Sequence, residues 1–140
     1  MRLRASIKGI IVAHGTRVLI VEDEDTLGDN LRQFLQRRGW EPLVARTGGL
    51  AVTASASFQP RVILLDYQLP DMDGFQVLGA IRQSHGCGCI LMTAHPADTV
   101  SAAAQMHCIR HILYKPFSLA EMEQRLFEAQ QDYSSFPIRP

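Results

Sequence analysis

The stretch of sequence that decides the fold is Arg61-Val-Ile-Leu-Leu-Asp66, which is followed by Tyr67-Gln-Leu-Pro-Asp-Met-Asp-Gly74. Residues 61–65 form an apolar run without polar alternation, which is typical of a parallel strand that is covered on both faces. Asp66 ends this run, and the residues after it have the composition of a turn. A carboxylate at the end of a buried strand is costly to desolvate unless a partner compensates its charge. The position of Asp66 therefore indicates a functional site.

Similar units lie on both sides of this stretch, each with a short apolar run followed by a segment of helical character. The predicted strands are residues 17–21, 40–45, 61–65, 89–92 and 112–114. A second helix is predicted from Leu50, and Ser118 with Glu121 matches a capping box at the start of the last helix. Repeated strand-helix units imply an α/β fold with right-handed crossovers. We predict a doubly wound, five-stranded parallel sheet in the order 2-1-3-4-5, a flavodoxin-like (βα)5 fold.

The predicted domain occupies residues 17–130. Residues 1–16 are expected to form an irregular N-terminal extension, in which only residues 10–12 have the pattern of a strand. Residues 131–140 are expected to form a C-terminal tail, which is too short for a helix-turn-helix or winged-helix output domain. The sequence therefore predicts one domain with short extensions.

Charge and cysteine content argue against several classes of function. The chain has 14 basic and 14 acidic residues, so no net positive field favours direct binding of nucleic acid. Its three cysteines include no CxxC pair and do not suggest a disulfide framework. The first apolar stretch is interrupted by Lys8 and is too short for a signal peptide or a membrane span. We expect a cytoplasmic protein that contacts neither nucleic acid nor membrane directly.

Two acidic residues, Glu22 and Asp23, stand at the end of the first predicted strand. In the order 2-1-3-4-5, the carboxyl ends of strands one and three open a crevice, so both residues are expected to lie near Asp66. Carboxylates that converge repel one another unless a cation compensates them. Mg²⁺ prefers carboxylate, carbonyl and water oxygens. We predict a Mg²⁺ site with oxygens from Glu22, Asp23, Asp66 and the main chain of Gln68.

An aspartate beside a metal ion is also a nucleophile that can form an acyl phosphate. The transferred phosphoryl group then needs partners for its oxygens, because this reaction depends chiefly on positioning and electrostatics. Lys115 follows the fifth strand and offers a positive charge, and Thr93 follows the fourth and offers a hydroxyl. The backbone N–H groups of Tyr67 and Ala94 are predicted to lie at the same place. The sequence thus predicts Asp66 as nucleophile, with Thr93 and Lys115 as catalytic partners.

Four motifs together resemble the receiver domain of two-component response regulators, from Arg17 to about Gln130: Val21-Glu-Asp-Glu24, residues 65–74, Met92-Thr-Ala94 and Lys115-Pro-Phe117. The resemblance implies that Asp66 accepts a phosphoryl group from a phosphohistidine on a sensor histidine kinase or a histidine phosphotransfer protein. It also implies that Glu22 and Asp23 hold magnesium, that Thr93 is a switch residue and that Lys115 contacts the phosphate. In that family the bond corresponding to Lys115-Pro116 is cis. The protein is then a signalling phosphoacceptor and not an enzyme with a separate substrate.

The sequence departs from the family pattern near the fifth strand. Ile112 stands where the family usually has a Tyr or Phe switch residue, and Tyr114 is predicted to face the same way. Residues 108–109 are Cys-Ile where the family usually has Gly-Ala. The resemblance also implies that Gln68 and His95 flank the water that hydrolyses the acyl phosphate. We predict that these two residues set its lifetime; the alternative is that His95 is only a surface residue.

The predicted output surface comprises the fourth helix, the fifth strand and the fifth helix, where Ala102-Ala-Ala104 would allow a partner to approach closely. That partner is a downstream protein, a fused output domain or a second copy in a homodimer, because the chain is either a stand-alone receiver or part of a longer regulator. A degenerate receiver that acts as a scaffold is one alternative. A haloacid dehalogenase-like phosphatase is less favoured, because Gln68 occupies the position of its second Asp. Asp71 and Asp73 are interpreted as turn formers and a helix N-cap.

Overall fold

The computed structural model describes residues 5–7, 10–12, 15–95 and 97–132. Within these ranges, two short strands precede five longer strands that alternate with five helices. None of the described helices has the length and apolar composition needed to cross a bilayer. In chain order the elements are β1 (Ala5–Ile7), β2 (Ile10–Val12), β3 (Arg17–Val21), α1 (Asp25–Arg37), β4 (Glu41–Ala45), α2 (Gly48–Phe58), β5 (Val62–Asp66), α3 (Gly74–Arg82), β6 (Gly88–Thr93), α4 (Ala97–Met106), β7 (His111–Tyr114) and α5 (Leu119–Gln131).

The five longer strands form one parallel sheet in the order β4-β3-β5-β6-β7. This is the predicted order 2-1-3-4-5, so the doubly wound (βα)5 fold is confirmed. Strands β1 and β2 form a separate antiparallel pair, in which Ala5 lies opposite Val12. The N-terminal extension is therefore more regular than predicted, because strands of three residues carry too little periodicity to be identified from sequence.

Helices cover both faces of the sheet, which explains why the strands read as unbroken apolar runs. Side chains alternate between the two faces along each strand. Leu19 and Ile63 belong to the core that includes α2, α3 and α4, whereas Ile20 and Leu64 belong to the core that includes α1 and α5. All five residues of β5 are buried, and its last residue is Asp66. A strand that is buried along its whole length therefore ends in a carboxylate.

Local capping interactions set the starts of two helices. Asp73 is the N-cap of α3: it accepts a hydrogen bond from the Gln76 N–H (2.9 Å), and the Gln76 side chain accepts one from the Asp73 N–H (3.0 Å). This confirms the predicted N-cap role of Asp73. Helix α2 begins at Gly48, two residues before the predicted start, because Thr47 is its N-cap and accepts a hydrogen bond from the Leu50 N–H (3.1 Å).

Helix α5 is anchored at its start and in its middle. Ser118 is its N-cap and accepts a hydrogen bond from the Glu121 N–H (3.0 Å), which confirms the predicted N-cap and one of the two bonds of the predicted capping box. The buried Glu123 accepts hydrogen bonds from the Trp40 indole N–H (3.0 Å) and from Arg38, whose nearest nitrogen lies at 2.8 Å. These contacts fix α5 against the segment between α1 and β4, and thereby hold the loop that carries Lys115.

Candidate functional site

The residues predicted to form the site meet at the carboxyl edge of the sheet. Glu22 and Asp23 follow β3, Asp66 ends β5, Thr93 ends β6 and Lys115 follows β7. A cavity of about 130 Å³ opens at this edge. A crevice at this place is expected where a doubly wound sheet reverses its strand order. The lining residues of the cavity are Asp66, Tyr67, Gln68, Thr93, Ala94, His95 and Lys115.

Three carboxylates lie together at the crevice. Glu22, Asp23 and Asp66 each offer an oxygen, and these oxygens lie within 4.8 Å of one another. Glu22 and Asp66 are buried, with exposures of 1% and 7%, whereas Asp23 is exposed. Negative charges this close are unfavourable unless a cation lies between them. A set of hard oxygen ligands at a partly open site fits a divalent cation such as Mg²⁺.

Lys115 connects the two buried carboxylates. Its Nζ lies 3.1 Å from Glu22 Oε1 and 3.3 Å from Asp66 Oδ2. Burial raises the pKa of Glu22 to about 7; the hydrogen bond from the Glu24 N–H opposes this rise, and the charge of Asp66 adds to it. Burial alone would lower the pKa of Lys115, but the charges of Asp66 and Glu22 outweigh burial and raise it. Lys115 therefore supplies a lasting positive charge at the cavity. The Lys115-Pro116 bond is cis, as the resemblance implied.

The backbone after β5 also holds the Asp66 carboxylate. The Gln68 N–H donates a hydrogen bond to Asp66 Oδ1 (3.2 Å). The Tyr67 N–H, which was predicted to face a phosphoryl group, donates to the Met92 carbonyl (2.8 Å) in this structure. Tyr67 lines the cavity, so its part in binding phosphate stays a prediction. The backbone donor in contact with the Asp66 carboxylate is the N–H of Gln68.

Thr93 and His95 are joined by hydrogen bonds at the cavity. The Thr93 hydroxyl is buried and accepts a hydrogen bond from the His95 backbone N–H (2.9 Å). His95 Nδ1 lies 3.4 Å from the same hydroxyl, and the His95 ring meets the Tyr67 ring edge-on, with centroids 5.1 Å apart. Ala94, between Thr93 and His95, is exposed. His95 is thus a half-buried part of the cavity wall, while its role in hydrolysis stays a prediction.

Aromatic rings connect the cavity with the end of α4. Ile112, at the place of the family's aromatic switch residue, is half-buried against the core that includes α4, and Tyr114 is 40% exposed. The Tyr67 ring contacts Phe75 in the first turn of α3, with centroids 5.4 Å apart. Phe75 in turn stacks on His107, just after α4, at 4.4 Å and an angle of 10°. These contacts form a continuous path of rings on the side of the sheet where Ile112 lies.

Cys108 has a backbone conformation that usually belongs to glycine. Its φ angle is 58°, in the left-handed region that favours residues without a Cβ. The resemblance implied that the family has Gly at this position, and the structure gives the reason. The chain makes this turn directly after α4, where the Cys108 N–H donates to the Gln105 carbonyl (3.1 Å). A cysteine here makes the turn at a cost in backbone strain.

Asp71 has a contact that the sequence analysis did not predict. Its carboxylate oxygens accept hydrogen bonds from the backbone N–H groups of Gly48 (2.8 Å) and Gly49 (2.9 Å), at the start of α2. Asp71 therefore caps a helix distant in sequence, in addition to its bonds with the backbone of the turn in which it stands. The partners are 23 and 22 residues away, so the sequence around Asp71 contains no pattern that predicts the contact. The sequence signal for this contact is the Gly-Gly pair after Thr47, because residues without side chains leave the backbone N–H groups at the start of α2 accessible to another segment.

Comparison with known proteins identifies the family. A family model of the response regulator receiver domain matches residues 18–127. The probable transcriptional regulatory protein TcrX of Mycobacterium tuberculosis is 34% identical over 110 residues, which make up 78% of this chain and 47% of that protein. The KDP operon transcriptional regulatory protein KdpE of Escherichia coli is 32% identical over 120 residues, which make up 86% of this chain and 53% of that protein.

Solved structures show the same fold. The signal receiver domain of a putative Luxo repressor protein from Vibrio parahaemolyticus matches with a TM-score of 0.79 and 25% identity, over 86% of this chain and 94% of that chain. A CheY-like response regulator receiver domain protein from Methanospirillum hungatei matches with a TM-score of 0.78 and 24% identity, over 86% of this chain and 98% of that chain. The chain belongs to the response regulator receiver family. It is the receiver domain of a two-component response regulator and spans about half the length of the curated relatives it matches.

We expect Lys115→Met to destabilise the fold by roughly 3 kcal/mol in a buffer with EDTA, because two buried carboxylates would lose the cation that they share. Urea unfolding of the variant and the wild type measures this difference. The double variant Lys115→Met/Glu22→Gln should recover most of the loss, since it removes one of the two repelling charges. Equal stability of Lys115→Met and wild type would show that the lysine does not compensate these carboxylates.

Proposed function

We propose that Asp66 accepts a phosphoryl group from a phosphohistidine of a sensor histidine kinase or a histidine phosphotransfer protein, in a reaction that depends on Mg²⁺. The observation that carries this proposal is the environment of one carboxylate. Asp66 lies in the cavity between Lys115 Nζ (3.3 Å) and the Gln68 N–H (3.2 Å), beside the carboxylates of Glu22 and Asp23. Membership of the receiver family supports the same role.

In the proposed step, a carboxylate oxygen of Asp66 attacks the phosphorus atom and forms a P–O bond. The P–N bond to the donor imidazole breaks, and its electron pair stays on the imidazole nitrogen, which takes up a proton. The product is an acyl phosphate on Asp66. Hydrolysis reverses the modification when water attacks the same phosphorus and releases the carboxylate. The residues of the cavity act by holding charges in position, which is the main contribution of a protein to phosphoryl transfer.

Each lining residue has a place in this proposal. The Lys115 ammonium, the Thr93 hydroxyl and the Ala94 backbone N–H are proposed to bind the phosphoryl oxygens. The Tyr67 N–H could join them only by giving up its bond to the Met92 carbonyl (2.8 Å). A bound Mg²⁺ neutralises charge on these oxygens when it is present. Its proposed ligands are Glu22, Asp23, Asp66 and the main-chain carbonyl of Gln68, since the three carboxylates already lie within 4.8 Å of one another.

The wider role of the domain is also a proposal. The curated relatives are named transcriptional regulators, and this chain spans about half of their length. We infer a cytoplasmic switch that passes its signal to a downstream protein, a fused output domain or a second copy in a homodimer. A scaffold without phosphorylation is favoured only by Ile112, whereas all the residues proposed for phosphorylation are present. A phosphatase of the dehalogenase type lacks its second acid, because Gln68 stands in that place.

Incubation with Mg²⁺ and acetyl phosphate should add one phosphoryl group to the wild type, as seen by intact mass spectrometry. Asp66→Asn should abolish the adduct, because an amide is not a nucleophile for phosphorus. Asp29→Asn, which changes a partly exposed aspartate of α1, should behave as the wild type. An adduct of the same stability on Asp66→Asn would place the acceptor elsewhere in the chain.

We propose that Gln68 and His95 control the lifetime of phospho-Asp66. Both line the cavity, and His95 is held there by its contacts with Thr93 and Tyr67. At the rim, these two side chains are proposed to exclude water from the acyl phosphate. The position of His95 in the cavity wall favours such a role over that of a simple surface residue.

Replacement of both Gln68 and His95 by Ala should open the rim and shorten the lifetime about tenfold, which corresponds to about 1.4 kcal/mol of barrier. The measurement is the decay of the phosphorylated protein after removal of acetyl phosphate. Gln124→Ala, on the exposed side of α5, is the control and should leave the decay unchanged. An unchanged decay rate in the double variant would rule out the proposed control by these two residues.

We propose that the signal leaves the site towards the surface of α4, β7 and α5. The ring path from Tyr67 through Phe75 to His107 supports this direction, because it joins the cavity wall to the end of α4. Ala102 is exposed on α4, whereas Ala104 is buried in the core. Ala102 is thus the part of the alanine segment that is open to a partner.

Beryllium fluoride with Mg²⁺, as a mimic of phosphorylation, should change hydrogen exchange in α4 and β7. Phe75→Leu should still bind the mimic but lose most of this change, because the ring between Tyr67 and His107 is missing. Phe127→Leu is the matched control, since Phe127 is also half-buried but packs on Trp40 (5.0 Å) on the other face of the sheet. An undiminished response in Phe75→Leu would exclude the ring path.

A further inference from the structure

The turn after Asp66 is tied to the start of α2. Asp71 accepts hydrogen bonds from the N–H groups of Gly48 (2.8 Å) and Gly49 (2.9 Å), while Thr47 accepts one from Leu50 (3.1 Å). The bonds from Gly49 and Gly48 lower the pKa of the Asp71 carboxyl. The first N–H groups of an α-helix have no partner within the helix, and Asp71, from a distant turn, accepts hydrogen bonds from two of these groups in α2.

An apolar contact reinforces this link. Met72 packs on Gly48 so closely that a Cβ on Gly48 would lie 2.4 Å from Met72 Cγ. The same Cβ would lie 2.8 Å from the side chain of Val77 in α3. Gly48 is therefore required by the close approach of the turn, and the tip of the turn contacts α2 through both a polar and an apolar side chain.

Residues 67–73, named here the acceptor loop, are also closed upon themselves. Gln68 and Asp73 form an antiparallel bridge, and the Gly74 N–H donates to the Tyr67 carbonyl (2.8 Å). Asp73 is fixed in turn as the N-cap of α3. A loop with these internal bonds moves as one piece, so a displacement of its tip at Asp71 also displaces Gln68.

Within the acceptor loop, the N–H and the carbonyl of Gln68 are the groups that take part in the site. The Gln68 N–H holds Asp66 Oδ1 (3.2 Å), and the Gln68 carbonyl is a proposed ligand of Mg²⁺. A small rotation of this segment changes the direction of the Asp66 carboxylate and moves one metal ligand. Misplacement of reacting groups by about 1 Å can cost up to about a hundredfold in rate.

We propose that Asp71 is a positioning residue for phosphoryl transfer: by binding the start of α2 it holds the acceptor loop where Gln68 can serve both Asp66 and the divalent cation. This inference rests on the proposed function of Asp66. A role in helix stability alone does not require this arrangement, because Thr47 already caps α2 from a local position. Asp71 is exposed, so its carboxylate is not held there by burial.

The test compares Asp71→Ala with Thr47→Ala, since both remove a cap from the same end of α2 but only Asp71 belongs to the acceptor loop. Thermal unfolding gives the effect of each on stability, and both should lower the melting temperature. Calorimetric titration with Mg²⁺ alone gives the affinity of the cation. Asp71→Ala should weaken Mg²⁺ binding about tenfold, the scale seen when partners that orient metal ligands are lost. Thr47→Ala should leave that affinity unchanged.

The rate of adduct formation with acetyl phosphate at saturating Mg²⁺ is the second measurement. It should fall in Asp71→Ala and stay at the wild-type value in Thr47→Ala. Asp71→Asn keeps one oxygen that can accept a bond from Gly48 or Gly49, so it should fold even where the alanine variant does not. Its Mg²⁺ affinity and rate should lie between those of wild type and Asp71→Ala.

The outcomes distinguish this proposal from the proposed function. If Asp71→Ala and Asp71→Asn bind Mg²⁺ and react as Thr47→Ala does, Asp71 is a helix cap only and the positioning role is overturned, while phosphorylation of Asp66 stands. If the wild type forms no adduct, or forms one that Asp66→Asn also forms, the proposed function fails and the positioning role fails with it. Loss of Mg²⁺ affinity in the Asp71 variants but not in Thr47→Ala supports the proposal.

Discussion

The ammonium group of Lys115, placed between the buried carboxylates of Glu22 and Asp66, is the contact on which the crevice depends. Two carboxylates with exposures of 1% and 7% would otherwise face each other with little solvent between them. The sheet order explains why a lysine is suited to this place. Strand β6 lies between β5 and β7, so the side chain after β7 has to reach across β6 to meet Asp66. A long, flexible side chain with a compact charge can do so.

Much of the fold could be predicted because the information is local. Apolar runs marked the buried strands, segments of helical character marked the helices between them, and the signal at Ser118 correctly marked the start of α5. The site at the carboxyl edge followed from the fold, since parallel strands in this order bring their ends together. Glu22, Asp66 and Lys115 could therefore be predicted to meet although 93 residues separate the first from the last.

The sequence did not predict features that depend on contacts between distant segments. Asp73 was identified as a cap because its partner is three residues away, whereas the partners of Asp71 are 22 and 23 residues away. The early start of α2 at Gly48 belongs to the same contact. The left-handed turn at Cys108 was not predicted either, because cysteine is not a residue that signals a positive φ. The ring path through Phe75 likewise depends on a contact between α3 and the residue after α4, which are distant in sequence.

The proposed cation binding and the proposed phosphoryl transfer would depend on the same charges and would therefore be coupled. When ionised, Glu22, Asp23 and Asp66 bring three negative charges against the one positive charge of Lys115, so a divalent cation balances the crevice. Both oxygens of Glu22 are engaged, one by Lys115 (3.1 Å) and the other by the Glu24 N–H (3.1 Å). In the proposed reaction, a phosphoryl group on Asp66 would add negative charge and would compete with Glu22 for the ammonium of Lys115. Glu22 would then keep a compensating charge only with the cation bound, which is a physical reason for the proposed binding of the phosphoryl group and the cation to occur together.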